Sequence, residues 1–161
     1  TKFRLSNNFV LGDSTAARLS FSSTERDGFS DNLITGQDLD DDNNFSIRAD
    51  FLMDLGNDSS LRLFGQLFEV DRNGSAMKGI DDLTPNPRDL KQDSISNHEL
   101  KSSVMAAIYE SDLGYANLKI MASLQEDDIS VTRDNDRHNY GDAVLAIPGL
   151  GTGATLSLIH I

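Results

Sequence analysis

Stretches in which apolar and polar residues alternate recur along this chain, and the connections between them are by turns short and long. Lys2 to Leu11 turns through Gly12-Asp13-Ser14 into a run that starts at Thr15 and reaches an acidic stretch at Asp27. Asn44 to Leu55 turns through Gly56-Asn57-Asp58-Ser59 into Ser60 to Asp71, and Leu100 to Ser111 turns through Asp112-Leu113-Gly114 into Tyr115 to Asp127. Alternation with period two marks strands that have one apolar and one polar face. Tight turns on one side and long polar connections on the other are what a transmembrane β-barrel needs, because its two rims face different compartments. The expectation is an all-β, antiparallel up-and-down meander of about six strands, a partial arc of a large transmembrane β-barrel, carried by residues 1–128.

The alternation also assigns faces. Ala17, Leu19 and Phe21 oppose Arg18, Ser20 and Ser22; Phe45, Ile47, Ala49, Phe51 and Met53 oppose Ser46, Arg48, Asp50 and Asp54, with Leu52 as the exception. Ala116, Leu118, Ile120, Ala122 and Leu124 oppose Asn117, Lys119, Met121, Ser123 and Gln125. Two strands leave their facing open: Phe64 and Phe68 share the parity of Arg62 and Gln66, and Val104, Ala106 and Ile108 compete with Met105, Ala107 and Tyr109. A strand of about ten tilted residues spans roughly 25 Å, the height of an outer-membrane apolar band, whereas soluble sandwiches favour strands of about five or six.

A lipid-facing charge at mid-bilayer costs about 2 to 4 kcal/mol, so the polar strand residues Arg18, Ser20, Arg48, Asp50, Lys119 and Gln125 are expected to face a lumen. Their cations should pair with lumen carboxylates. Arg72, Lys78, Arg88 and Lys91 fall in the long connection after Asp71 and are candidates for contact with an anionic ligand.

The chain has 161 residues, a net charge of -12 and 38% hydrophobic residues, with a mean hydropathy of -0.36. No apolar run approaches the eighteen or so residues of a helical span, and the acidity argues against nucleic acid as a partner. Acid concentrates in the long connections: Asp38, Asp40, Asp41 and Asp42, then Asp81, Asp82, Asp89 and Asp93, then Asp134, Asp136 and Asp142. The run from Asp38 to Asn44 spaces its oxygens as calcium loops do but has Asn43 where glycine is expected and Ala49 where a bidentate glutamate is expected, so it reads as a solvated loop. With no cysteine, thiolate chemistry is excluded. His98 and His138 lack partners at ligand spacing, no serine occupies a G-x-S-x-G elbow, and Gly149-Leu150-Gly151-Thr152-Gly153 lacks the lysine of a phosphate loop. Neither a metal, a cofactor nor enzymatic activity is expected.

The stretch Arg18-Leu19-Ser20-Phe21-Ser22-Ser23-Thr24-Glu25-Arg26-Asp27-Gly28-Phe29, followed by Asn32-Leu33-Ile34-Thr35-Gly36-Gln37-Asp38-Leu39, resembles the early barrel of TonB-dependent outer-membrane receptors. In that family a strand ending in R-D-G-aromatic leads into a loop of N-x-x-T-G-x-D-L type; a strand like Asn44 to Leu55, a short turn, and a strand ending near Asp71-Arg72-Asn73-Gly74 come next. The resemblance covers Leu5 to Asp128. It implies a 22-stranded barrel with a plugged lumen in the bacterial outer membrane. Such a receptor takes up a scarce solute such as a ferric siderophore, with energy from the inner-membrane TonB complex engaged through an N-terminal region. The competing expectations are a secreted β-sandwich adhesin or carbohydrate-binding module, which would need exposed aromatics where the chain has 7% and no tryptophan, and a passive porin-type barrel.

Lys2-Phe3-Arg4-Leu5 already reads as the inside of a strand, so the sequence is expected to be an internal fragment. Residues 129–155, with Pro148 among glycines, are expected to be an irregular loop, and residues 156–161 resemble a translated sequencing adapter.

Overall fold

The computed structural model describes residues 1–80, 82–134 and 137, together with the backbone of 158–160. It is all-β. Six long strands, β1 (Lys2–Gly12), β2 (Thr15–Thr24), β5 (Asn44–Gly56), β6 (Ser59–Arg72), β8 (Asn97–Asp112) and β9 (Asn117–Thr132), lie in the order β1-β2-β5-β6-β8-β9. This is the expected antiparallel meander. The short β10 (Leu158–His160) pairs with Ile129–Val131 at the outer edge of β9. Three further short strands, β3 (Ser30–Asn32), β4 (Asp38–Leu39) and β7 (Asp89–Leu90), form a separate sheet within the long connections.

The described chain divides into two compact units. The first comprises Thr1–Thr24, Asn44–Glu69 and Lys101–Asp127. Its register places Arg18 opposite Asp50, Ser20 opposite Arg48, Ala17 opposite Phe51, Leu19 opposite Ala49 and Phe21 opposite Ile47. Directly opposed residues share a face, so the apolar alternations of β2 and β5 fall on one side and the polar ones on the other. Leu63, Met105, Ala122 and Leu124 line a shallow recess of about 590 Å³ together with Ala49 and Phe51, among others.

That apolar side has no cover among the described residues. Phe3, Leu5, Phe9, Leu19, Ile47, Phe51, Leu63, Leu67, Met105, Leu118, Ile120 and Leu124 are all exposed. The strands are long and their turns tight: Gly56, Asn57 and Asp58 all have positive φ (75°, 50° and 52°). Asn and Asp tolerate that region, and such turns match the twist of the flanking strands.

The second unit comprises Glu25–Asn43, Val70–Leu100 and residues from Asp128 onward. Here the two long connections, expected to be solvated loops, pack against each other. β3 pairs antiparallel with β4 and parallel with β7, putting Asp31 opposite Asp89 and Asn32 opposite Leu90. Leu39 and Leu90 are completely enclosed, with Asn32, Gln92, Ser30 and Ser96 buried beside them. Gln37 bridges the connections as a peptide group would: its Nε2 donates to the Ser96 carbonyl at 2.6 Å, and its Oε1 accepts from the Ser96 amide at 2.9 Å.

Gly28 of the R-D-G-aromatic stretch has a structural reason. A Cβ there would stand 2.7 Å from the Leu39 carbonyl oxygen and 2.8 Å from the Asp38 Cβ, contacts that real side chains do not make. Gly28→Ala is expected to cost about 1 to 3 kcal/mol through overpacking and to speed proteolysis of the two connections several-fold; an unchanged digestion rate would contradict this.

Candidate functional site

The polar face of the first unit gathers its charges around one carboxylate. Arg48 Nε donates to Asp50 Oδ2 at 2.8 Å and Arg48 Nη2 to Oδ1 at 3.1 Å. From β6, Arg62 Nε and Nη2 reach the same Oδ1 at 3.1 and 2.7 Å. Arg48 Nη1 also donates to Gln66 Oε1, and Gln66 Nε2 contacts Ser46 Oγ at 3.4 Å. The Arg48 guanidinium lies 4.0 Å from the centroid of Phe64, a cation–π contact that covers its flat side. Phe64, whose facing the alternation left open, is therefore on the polar side and packs an arginine.

Further along this face, Lys119 Nζ meets Glu110 Oε1 at 2.7 Å, and Gln125 Nε2 donates to Asp127 Oδ2 at 2.8 Å. Ser20 Oγ accepts from Ser6 Oγ at 3.1 Å, and Arg18 Nε donates to Asn8 Oδ1 at 2.7 Å. A recess of about 420 Å³ is lined by Arg18, Asp50, Arg62, Ile108, Glu110 and Lys119 among others. The structure thus brings Arg18, Arg48, Asp50 and Lys119 to one face, as the alternation requires, and adds Glu110 and Asn8. Glu110 shares the parity of Ile108, so fixing the facing of β8 would have found it.

The four loop cations have different surroundings in the second unit. Arg72 Nη1 faces Asp42 at 3.8 Å. Lys78 Nζ is taken up by the carbonyls of Thr84 and Asn86 at 2.8 and 3.0 Å. Arg88 is exposed and stacks on Phe29 at 4.5 Å, with Arg26 over the same ring at 5.4 Å. Lys91 is exposed, and its amide donates to Asp82 Oδ2. Arg88 and Lys91 thus stand at the surface, while Arg72 and Lys78 hold the loops.

The acidic run is likewise occupied with structure. Asp40 accepts from Ser30 Oγ at 2.6 Å and from the Ala76 amide at 3.0 Å; Asp41 accepts from Asn43 Nδ2 and from the Asn73 amide. Among the described residues no group of three or more His, Asp or Glu is placed to hold a metal ion. Asp81, Asp136, His138 and Asp142, the G-L-G-T-G stretch and most of the two C-terminal segments lie outside the described residues.

Asp82 carries a pH consequence. Partial burial disfavours its charge, but hydrogen bonds from the Thr84 amide and hydroxyl and from the Lys91 amide, with the Lys78 ammonium nearby, outweigh that and hold its carboxyl below the ordinary aspartate range. With the folded value depressed, its contribution is fully present above the unfolded value of about 3.9. It is lost as pH falls through the folded value. Asp82→Asn is therefore expected to flatten the acid limb of loop stability followed by amide exchange; an acid limb identical to that of the parent protein would contradict the assignment.

Comparison with protein-family models, curated proteins and solved structures finds no match to this chain.

Proposed function

We propose that this chain forms part of the wall of an outer-membrane active-transport receptor of the TonB-dependent type, taking up a scarce solute of the ferric siderophore class. The observation that carries the reading is the pairing of two unlike faces on one sheet. One is a broad apolar side that stays uncovered among the described residues. The other gathers arginines, serines and carboxylates. A soluble sandwich buries its apolar faces against each other, and uncovered apolar patches of this kind mark an interaction surface. A hydrocarbon layer is the surface that fits alternating strands of this length.

In this reading the second unit belongs to the extracellular loops, where Arg88 and Lys91 meet the ligand, and the energy comes from the TonB complex. A passive porin-type barrel has the same two faces, so energy dependence separates the two. Uptake of a panel of ferric chelates by iron-limited cells with and without the gene is expected to lose one chelate class on deletion, and a protonophore is expected to abolish the same uptake in the parent cells. Uptake that is lost on deletion but insensitive to the protonophore would favour the porin. Unchanged uptake across the panel would remove the siderophore class.

A further inference from the structure

Four cations, Arg18, Arg48, Arg62 and Lys119, and two carboxylates, Asp50 and Glu110, occupy the middle of the polar face. This excess runs against the composition of a chain with 14 lysines and arginines and 26 acids. Asp50 is shared between two guanidinium groups, its Oδ1 accepting from both Arg48 and Arg62 and its Oδ2 from Arg48, and its side chain is only 13% exposed. Glu110 is matched by Lys119. Arg18 has only the neutral amide oxygen of Asn8; among the described residues no carboxylate lies within ion-pair distance of it. The recess of about 420 Å³ opens between Arg18, Asp50, Arg62, Glu110 and Lys119, a volume within the usual range for small-molecule sites. Ser60 and Asn8 supply neutral polar walls.

We propose that this recess is a binding station for a small oxyanion, a solute that presents carboxylate or phosphate groups. Arg18 supplies the uncompensated charge. Arg62 is half exposed, at 49%, and anchored to Asp50 through Nε and Nη2, so its remaining Nη1 edge is preoriented to donate. A guanidinium fork suits a planar carboxylate or a phosphate better than a halide. The proposal does not rest on the transport reading, because such a recess would hold an anion on a soluble sheet as well.

The chain has no cysteine, so Ser60→Cys gives one reporter thiol in the recess and Ser20→Cys gives a second beside Arg48. Both are made in the purified full-length protein, with any cysteine elsewhere in it replaced, whether it is recovered from membranes or from the soluble fraction. Reaction rates with an anionic and a cationic methanethiosulfonate are compared with those of free cysteine. The anionic reagent is expected to be favoured on the order of tenfold more than at free cysteine. Arg18→Gln should remove most of that preference, and millimolar inorganic phosphate or citrate should slow modification of Ser60→Cys. Protection by phosphate alone or by citrate alone assigns the ligand to one of the two groups, and protection by both assigns the shared chemistry. Two results overturn the proposal: no charge preference at either thiol, or a preference with no protection by either anion.

Discussion

Phe51→Arg is expected to cost the folded protein about 2 to 4 kcal/mol in lipid, while Leu52→Arg, one residue along the same strand, is expected to cost little. The two side chains are similarly exposed, at 43% and 51%. They differ in facing: Phe51 stands opposite Ala17, with the parity of Leu19 and Ala49, and Leu52 stands opposite Ala16, with the parity of Arg18 and Asp50. In water both substitutions would be surface changes of about 0.5 kcal/mol or less. Only a hydrocarbon layer on one side penalises one of them. Urea unfolding of the full-length protein in lipid vesicles reads the difference, and equal midpoints for the two variants would contradict a lipid-facing apolar side.

Asp50→Ala should be the most damaging substitution on the polar face. It leaves Arg48 and Arg62 side by side without their shared carboxylate, and the Arg48 guanidinium is pinned against Phe64. Removing one partner of a well-buried pair costs about 3 to 5 kcal/mol. Because Arg62 is half exposed and partly screened, about 2 to 3 kcal/mol is expected here. Adding Arg48→Gln to Asp50→Ala should recover part of that loss, since it removes one of the two stranded charges. A near-neutral Asp50→Ala, or a double variant whose loss is the plain sum of the singles, would mean that the cluster is not a unit.

The six long strands and the facing of β2, β5 and β9 were legible because period-two alternation there is nearly unbroken. Leu19, Phe21, Ile47 and Phe51 carry one parity, and Arg18, Ser20, Arg48 and Asp50 carry the other. β6 was not legible. Phe64 reads as an apolar residue on the wrong parity until Arg48, a neighbour in space and not in sequence, is seen stacked on it. β8 failed for a different reason: Val104, Ala106 and Ile108 are as apolar as Met105, Ala107 and Tyr109, and only the ion pair of Glu110 with Lys119 on the neighbouring strand settles the parity. The packing of the two long connections has no local signature at all. Its strands are two or three residues long, too short to show a period, and the parallel pairing of Asp31 with Asp89 joins distant parts of the chain. The acidic run looked like solvated surface because composition cannot show that Asp40 and Asp41 are spent on backbone amides and side-chain donors.

If the uncovered side of the sheet meets hydrocarbon, as proposed, single tryptophans report it, and the chain contains no tryptophan of its own. Single tryptophans at Leu19, Phe51 and Leu124 on one face, and at Ser20, Ser46 and Ser123 on the other, are compared in vesicles whose acyl chains carry bromine, after any tryptophan elsewhere in the full-length protein is replaced. Strong quenching is expected at the first three positions and little at the other three, alternating along each strand. Uniformly weak quenching at all six, with a protein that stays in the aqueous phase, would contradict it.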